Sequence, residues 1–291
     1  MPAGYTLDCF RVNGTAIDGN SFTMPASNVI VTATLTKNEL TLADNSSNDE
    51  AIAAAAASGK VYEVTLSGRT LYKDGSWNTL CLPFDISTAS GTLSGDNVKA
   101  MTLDTTTSNL AGGTLTLNFT AATTIAAGTP FIIKWDNTGV NIEDPVFEGV
   151  TVSNATNNAT IAGVLTFTGT YAPVSIGSEG DNTKLYLGAA NTLYYPNAAM
   201  TIGTHRAYFQ LADGIEAGSI SQARLFFGDG EQAAIEQIAE RLSSNSQSGL
   251  YSLDGRKLVG MPTARSAEGR LFPKGLKKGI YVINGKKVVI K

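Results

Sequence analysis

Apolar and polar residues alternate along most of this chain in short runs separated by Gly, Asn, Asp and Pro clusters. That period of two predicts half-buried strands. In residues 60–228 the runs fall at Val61–Leu66, Trp77–Phe84, Lys99–Leu103, Thr114–Phe119, Pro130–Trp135, Val146–Val152, Ala159–Thr168, Lys184–Leu187, Thr192–Tyr195, Arg206–Leu211 and Ala223–Phe227. Alternation puts Leu80, Leu82 and Phe84 on one face, and likewise Phe131, Ile133 and Trp135, then Ala207, Phe209 and Leu211. These are the expected core. Many short strands without a long amphipathic helix predict an all-β chain whose centre is a β-sandwich of jelly-roll or immunoglobulin-like type.

The flanks divide the chain further. Residues 1–36 read as part of a small β-repeat module, with strands Tyr5–Val12 and Val29–Leu35 around the turn signals Asn13-Gly14 and Asp18-Gly19. So short a unit buries too little to stand alone. Residues 37–59 read as a linker with a short helix, Ser47 and Glu50 forming a capping box and Gly59 the stop. Residues 60–228 form the sandwich. Residues 229–248 read as a helical and flexible linker, with Asp229 as cap, Gln232 reaching back, Ile235, Ile238 and Leu242 as a narrow stripe, and Ser243–Ser248 as a joint. Residues 249–291 read as a small C-terminal β domain, because Asp254-Gly255 and Asn284-Gly285 are strong hairpin signals.

Composition narrows the class. The chain has 291 residues, 16% charged and 43% hydrophobic, a lean mixture rich in small hydroxyl residues that suits secreted β modules. Net charge is −4, yet Arg270, Lys274, Lys277, Lys278, Lys286, Lys287 and Lys291 lie at the C-terminal end with no carboxylate after Glu268. A basic end on an acidic body argues against nucleic acid as the partner. With only Cys9 and Cys81 a disulfide framework is excluded, leaving one bridge or two thiols. No apolar run is long enough for a membrane span, and the start lacks the pattern of a signal peptide.

Catalytic chemistry finds little to work with. The one histidine, His205, precedes a strand and reads as solvated at a loop edge, with no Gly-x-Ser-x-Gly elbow in the chain. One His and two scattered Cys do not supply a zinc site. Glu143, Asp144 and Glu148 read as loop charges around Pro145 rather than a glycosidase pair. Asp44, Ser46 and Asn48 have the alternate spacing of a calcium loop, but Asp49 replaces its glycine and Ala55 its last carboxylate. No metal and no cofactor is expected, and the chain reads as a non-enzyme. Sugar recognition is the residual chemistry, because a flat ring packs on the C–H face of a pyranose. Trp77, Tyr194, Tyr195 and Tyr208 are the candidate ligand-binding residues, against the commoner role of aromatics as sheet stabilisers. Trp135 shares a face with Phe131 and reads as core.

Three stretches resemble known families. "RVNGTAIDGNSFTMPASNVIVTATLTK" resembles the end of the small β repeats of Listeria–Bacteroides and internalin-B type surface proteins. "VTLSGRTLYKDGSWNTLCLPFDI", "IAAGTPFIIKWDN", "PVFEGVTV" and "THRAYFQLADG" resemble the β domain near the C-termini of leucine-rich-repeat surface proteins of Bacteroidetes. "GLYSLDGRKLVG" and "LKKGIYVINGKKVVIK" resemble the C-terminal sorting domain of type IX secretion, through Tyr251, Leu253, Gly255, Arg256, Gly279, Ile280, Tyr281, Lys286, Lys287 and Lys291. The resemblances imply the C-terminal part of a bacterial protein exported to the outer-membrane surface or beyond, whose tail is read by the secretion machinery. They also imply O-glycosylation at Thr105, since Asp104-Thr105-Thr106 is similar to the sequence such bacteria modify. The function expected is non-enzymatic adhesion or ligand binding, with host or dietary glycans or matrix protein as partners. The alternatives are an accessory carbohydrate-binding module of a larger secreted enzyme, or a structural spacer.

Overall fold

The computed structural model describes residues 2, 4–19, 21–136, 139–176, 182–188, 191–196, 199–228 and 232–235, followed by five C-terminal strands, with side chains described up to residue 228. The chain divides into two units, Met1–Ala239 and Glu240–Lys291. Its class is all-β, with one α-helix, Asp49–Ser58, among the described residues. No helix among them is long and apolar enough to cross a membrane.

The first unit is organised around a six-stranded sheet. Its order is Gln232–Ile235, Gln222–Phe227, Thr114–Ala121, Val98–Ala111, Phe131–Trp135, Asn78–Leu80. One face packs on a five-stranded sheet ordered Ala159–Ile161, Leu165–Gly169, Ala207–Leu211, Lys184–Leu187, Leu193–Tyr194. Leu115, Leu117 and Phe119 meet Leu165, Phe167, Phe209 and Leu211 in the shared core. Phe167 stacks on Phe209 with ring centroids 4.5 Å apart, and Phe119 meets Phe167 edge-on at 6.2 Å. The period-two pattern explains this packing directly, since alternate residues of each strand enter one core.

The other face of the central sheet is covered as well. Leu80, Phe131, Ile133 and Trp135 form a second core with Leu42, Ile52, Val64, Leu66 and Phe147. These come from the helix and from a three-stranded sheet of Val146–Thr151, Val61–Ser67 and Glu39–Ala43. All of Phe131–Trp135 is therefore buried. Its continuous apolar run reflects burial on both faces, where a sheet with one wet face would alternate. Lys134 is the exception in composition, and it places Nζ 3.1 Å from Asp136 and 5.1 Å above the Trp77 ring.

The stretch 37–59, expected as a linker, is part of this second layer. Glu39–Ala43 runs parallel to Val61–Ser67, and the helix crosses between them. A parallel neighbour requires a crossover, which the alanine-rich helix supplies by burying Ile52 and Ala55. The expected capping box does not form. Asn48, not Ser47, is the N-cap, and its side chain turns back to Ala43. Gly59 does close the helix in the left-handed conformation, φ 61°.

Strand positions follow the alternation closely and differ where turns intervene. Ala159–Thr168 is two strands, Ala159–Ile161 and Leu165–Gly169, around a tight turn. Trp77–Phe84 is strand only at Asn78–Leu80. Val98–Ala111 is longer than expected and contains a wide bulge, with pairing interrupted between Thr116 and Asn118 of its neighbour. The helix expected from Asp229 is not found where the chain is described. Gln232–Ile235 is an edge strand paired with Gln222–Phe227, and residues 236–248 lie outside the described residues.

Tyr5–Val12 and Val31–Lys37 pair antiparallel, with Thr15–Ala16 on the other edge, as the small N-terminal module. Ile30, Val31 and Met24 are exposed there. In the C-terminal unit Gly279–Ile283 pairs with Lys286–Ile290 as the expected hairpin, and Leu250–Ser252 adds to its free edge. Between Ser252 and Gly279 in the sequence lies another pair, Thr263–Arg265 with Leu271–Pro273. Cys9 and Cys81 are both free.

Candidate functional site

His205 is not solvated. It is completely buried and sits at φ 55°, a left-handed backbone that costs a non-glycine residue of order 1–2 kcal/mol. Its surroundings hold it there. His205 N donates to Thr170 O at 2.7 Å, its carbonyl accepts from Cys81 N at 3.4 Å, and Nδ1 lies 3.0 Å from Thr204 Oγ1. Nε2 has no partner. Burial pushes the ring's pKa down to about 3, Asp44 acting against that fall and Arg69 and Arg206 adding to it. The imidazole is neutral at physiological pH and bonds through one nitrogen.

His205 belongs to a buried polar cluster that joins the crossover to the five-stranded sheet. Arg206 forms a two-pronged pair with Asp44, Nη1 to Oδ1 and Nη2 to Oδ2, the latter at 2.8 Å. Thr204 N and Oγ1 each bond the 43–44 backbone at 2.9 Å, and Asn48 N donates to Tyr171 O at 2.9 Å. A Cβ at Gly203 would overlap the Arg206 guanidinium, so only glycine admits this pair. Arg69 lies behind, buried, giving Nη1 to Thr70 O at 2.8 Å and Nη2 to Thr79 O at 3.2 Å. Burial, then Arg206, lowers its pKa to about 10, so it stays charged at neutral pH.

Above this cluster opens a cleft of about 250 Å³, lined by Asn45, Thr79, Tyr186, Met200, Thr201, Gly203 and Arg206 among others. Strand alternation aims its ring. Leu185 enters the core completely, so Tyr186 points to the opposite face. Tyr194 is its direct cross-strand partner, and the rings stack with centroids 5.7 Å apart at 26°. A Cβ at Gly188 would press on Tyr194 at 2.8 Å, so that glycine makes room for the stack. Burial first, then Tyr194, raises the Tyr186 pKa, keeping its hydroxyl protonated at neutral pH. Flat aromatic surface beside amide, hydroxyl and guanidinium donors is the composition that sugar recognition needs.

The sequence candidates separate on inspection. Tyr194 belongs to this site as the support of Tyr186. Tyr208 does not face outward: it is 9% exposed, in a small cluster with Ile176 and Ile202 on which Tyr186 and Met200 rest. Trp77 is 6% exposed and packs on Phe227 at 4.9 Å, so it is core and not a platform. Tyr195 is half-buried against the larger core. Tyr186 and Arg206 were missed, although the alternation Lys184-Leu185-Tyr186-Leu187 marked Tyr186 as the residue opposite a buried leucine.

A larger cleft of about 560 Å³ lies between the 85–93 loop and Val146–Thr151, lined by Asp85, Ser87, Thr92, Phe147 and Glu148 among others. Its only ring, Phe147, is 5% exposed, which leaves no aromatic surface for a ligand. Thr105 is half-buried in the bulge of Val98–Ala111. Beside it Asp104 accepts from Thr106 N at 2.9 Å, Thr106 Oγ1 at 2.6 Å and Thr107 Oγ1 at 2.8 Å, which pulls its pKa down to about 2. Of the sorting residues, Tyr251, Gly279, Ile280, Tyr281, Lys286 and Lys287 fall on the paired C-terminal strands, and Gly255 and Arg256 lie outside the described residues. No group of three or more His, Cys, Asp or Glu residues able to hold a metal ion occurs among the described residues.

No family model, no curated protein and no solved structure matches this chain.

Proposed function

We propose that this chain is a non-enzymatic binding module of an exported bacterial surface protein, taking a glycan in the Tyr186 cleft. The observation that carries the reading is the Tyr186–Tyr194 stack beside Arg206, Asn45 and Thr201 in one cleft. A supported ring loses little freedom when a ligand packs on it, which lowers the cost of binding. Burial of the single histidine and of Cys81, whose thiol burial pushes up to about 12, supports a role without nucleophilic or acid–base chemistry. The C-terminal hairpin, carrying Tyr281, Lys286 and Lys287, is proposed as the sorting signal that the secretion machinery reads. An accessory carbohydrate-binding module of a larger secreted enzyme would use the same cleft.

The test is a glycan array probed with the full chain, followed by titration of the hits against Tyr186→Ala. Binding that falls tenfold or more in the variant supports the reading. Hits that survive the substitution unchanged place recognition elsewhere, and a blank array returns the module to a spacer. Export is tested separately in the host organism: removal of residues 249–291 is expected to abolish surface display, and normal display would refute the sorting role.

A further inference from the structure

The cluster behind the Tyr186 cleft is not electrically balanced. It contains two guanidiniums, Arg69 and Arg206, and one carboxylate, Asp44, while His205 is neutral. Asp44 gives both oxygens to Arg206. Among the described residues the Arg69 guanidinium donates to the carbonyls of Thr70 and Thr79, and its buried Nε has no partner there. Asp144, whose N donates to Arg69 O at 2.9 Å, is exposed, and its carboxylate accepts instead from Gly68 N at 2.6 Å. A buried guanidinium that shares one carboxylate with a second guanidinium is costly, and its field acts at nearby surfaces.

That field reaches the cleft through two cleft-lining groups. Thr79, whose carbonyl Arg69 holds, lines it, and so does Arg206. A guanidinium has five N–H donors. Arg206 Nη1 is fully used by Asp44 and Thr204 O, and Nη2 gives one hydrogen to Asp44. Nε–H and the second Nη2–H make no bond to any described residue, and the side chain is 25% exposed. The site therefore presents a stacked ring, unused guanidinium donors and an excess positive charge, on a chain that is acidic overall.

We infer that the cleft selects sugars bearing a carboxylate, the pyranose packing on Tyr186 and the carboxylate accepting from Arg206 while its charge balances the Arg69–Arg206–Asp44 cluster. This rests on the glycan reading of the same cleft and adds the charge of the ligand to it. Charge-assisted hydrogen bonds to guanidinium are stronger than neutral ones. A neutral sugar would leave the cluster unbalanced.

The experiment is calorimetric titration of the full chain with trigalacturonate and sialyllactose, and with galactotriose and lactose as uncharged counterparts. The acidic sugars are expected to bind about tenfold more tightly than their counterparts at low salt, and whichever acid binds identifies a uronate or a sialic acid as the source. Arg69→Met removes the excess charge and leaves the Asp44–Arg206 pair in place, so it is expected to bring acid and neutral sugars to parity. Should that variant fail to fold, the salt dependence of the native protein decides, because only the acid should weaken as salt rises. Equal affinity for acidic and neutral sugars would overturn the charge inference and leave the glycan reading standing. Absence of all sugar binding would overturn both. Tetraglutamate bound as tightly as the acidic sugars would overturn the assignment to a sugar.

Discussion

At the scale of single residues, His205 shows how a chain stores a costly group in its interior. Its ring is neutral because burial lowers the pKa to about 3, against about 6.5 in an unfolded chain. The unfolded state therefore binds the additional proton between these values. Stability from this residue is complete above the unfolded value and is lost as pH falls toward the folded one, with a slope of at most about 1.4 kcal/mol per pH unit. The urea midpoint is expected to fall steadily between pH 6.5 and pH 4, and His205→Gln should flatten that slope. Asp104 contributes with the same sign only at more acidic pH, its pKa being drawn to about 2 by Thr106 and Thr107. None of this was legible beforehand: an isolated His before a strand carries no mark of its burial, which Thr170 and Cys81 impose from distant parts of the chain.

At the scale of elements, the crossover from Glu39 to Ser67 is held less by its helix than by one side chain. Asn48 Oδ1 accepts from Ala43 N at 2.9 Å, and its Nδ2 reaches Ala43 O, Ser46 O and Thr204 Oγ1. Asn48→Ala would leave buried backbone groups without partners, a cost of about 2–3 kcal/mol, and loosen the helix from the five-stranded sheet. Chemical denaturation should show that loss, whereas Ser47→Ala, which removes only exposed bonds to Asp49, should cost less than about 0.5 kcal/mol. The helix itself was legible from Gly59 and the alanine run. Its role was not, since ten residues with one isoleucine look like a tether until Val61–Ser67 is seen beside Glu39–Ala43.

At the scale of the molecule, both large cores draw on residues between Leu42 and Phe227, all within the first unit. A chain ending at Ala239 is expected to unfold cooperatively with the midpoint of the full-length first unit, within about 0.5 kcal/mol. A shift larger than about 1 kcal/mol in calorimetry would refute that autonomy.

The period-two pattern alone determined the all-β class, the identity of the core residues Leu80, Phe131, Ile133, Trp135, Phe209 and Leu211, and the C-terminal hairpin, because alternation and turn chemistry are local properties of a chain. Tertiary structure decided the rest. Burial on both faces of Phe131–Trp135 follows from a third layer that no local pattern announces. The parallel crossover, the inward turn of Tyr208 and Trp77, and the meeting of Tyr186 with an Arg206–Asp44 pair 162 positions apart all depend on contacts between remote segments. Charge balance in a buried cluster is a property of that assembly, and no single stretch of the sequence contains it.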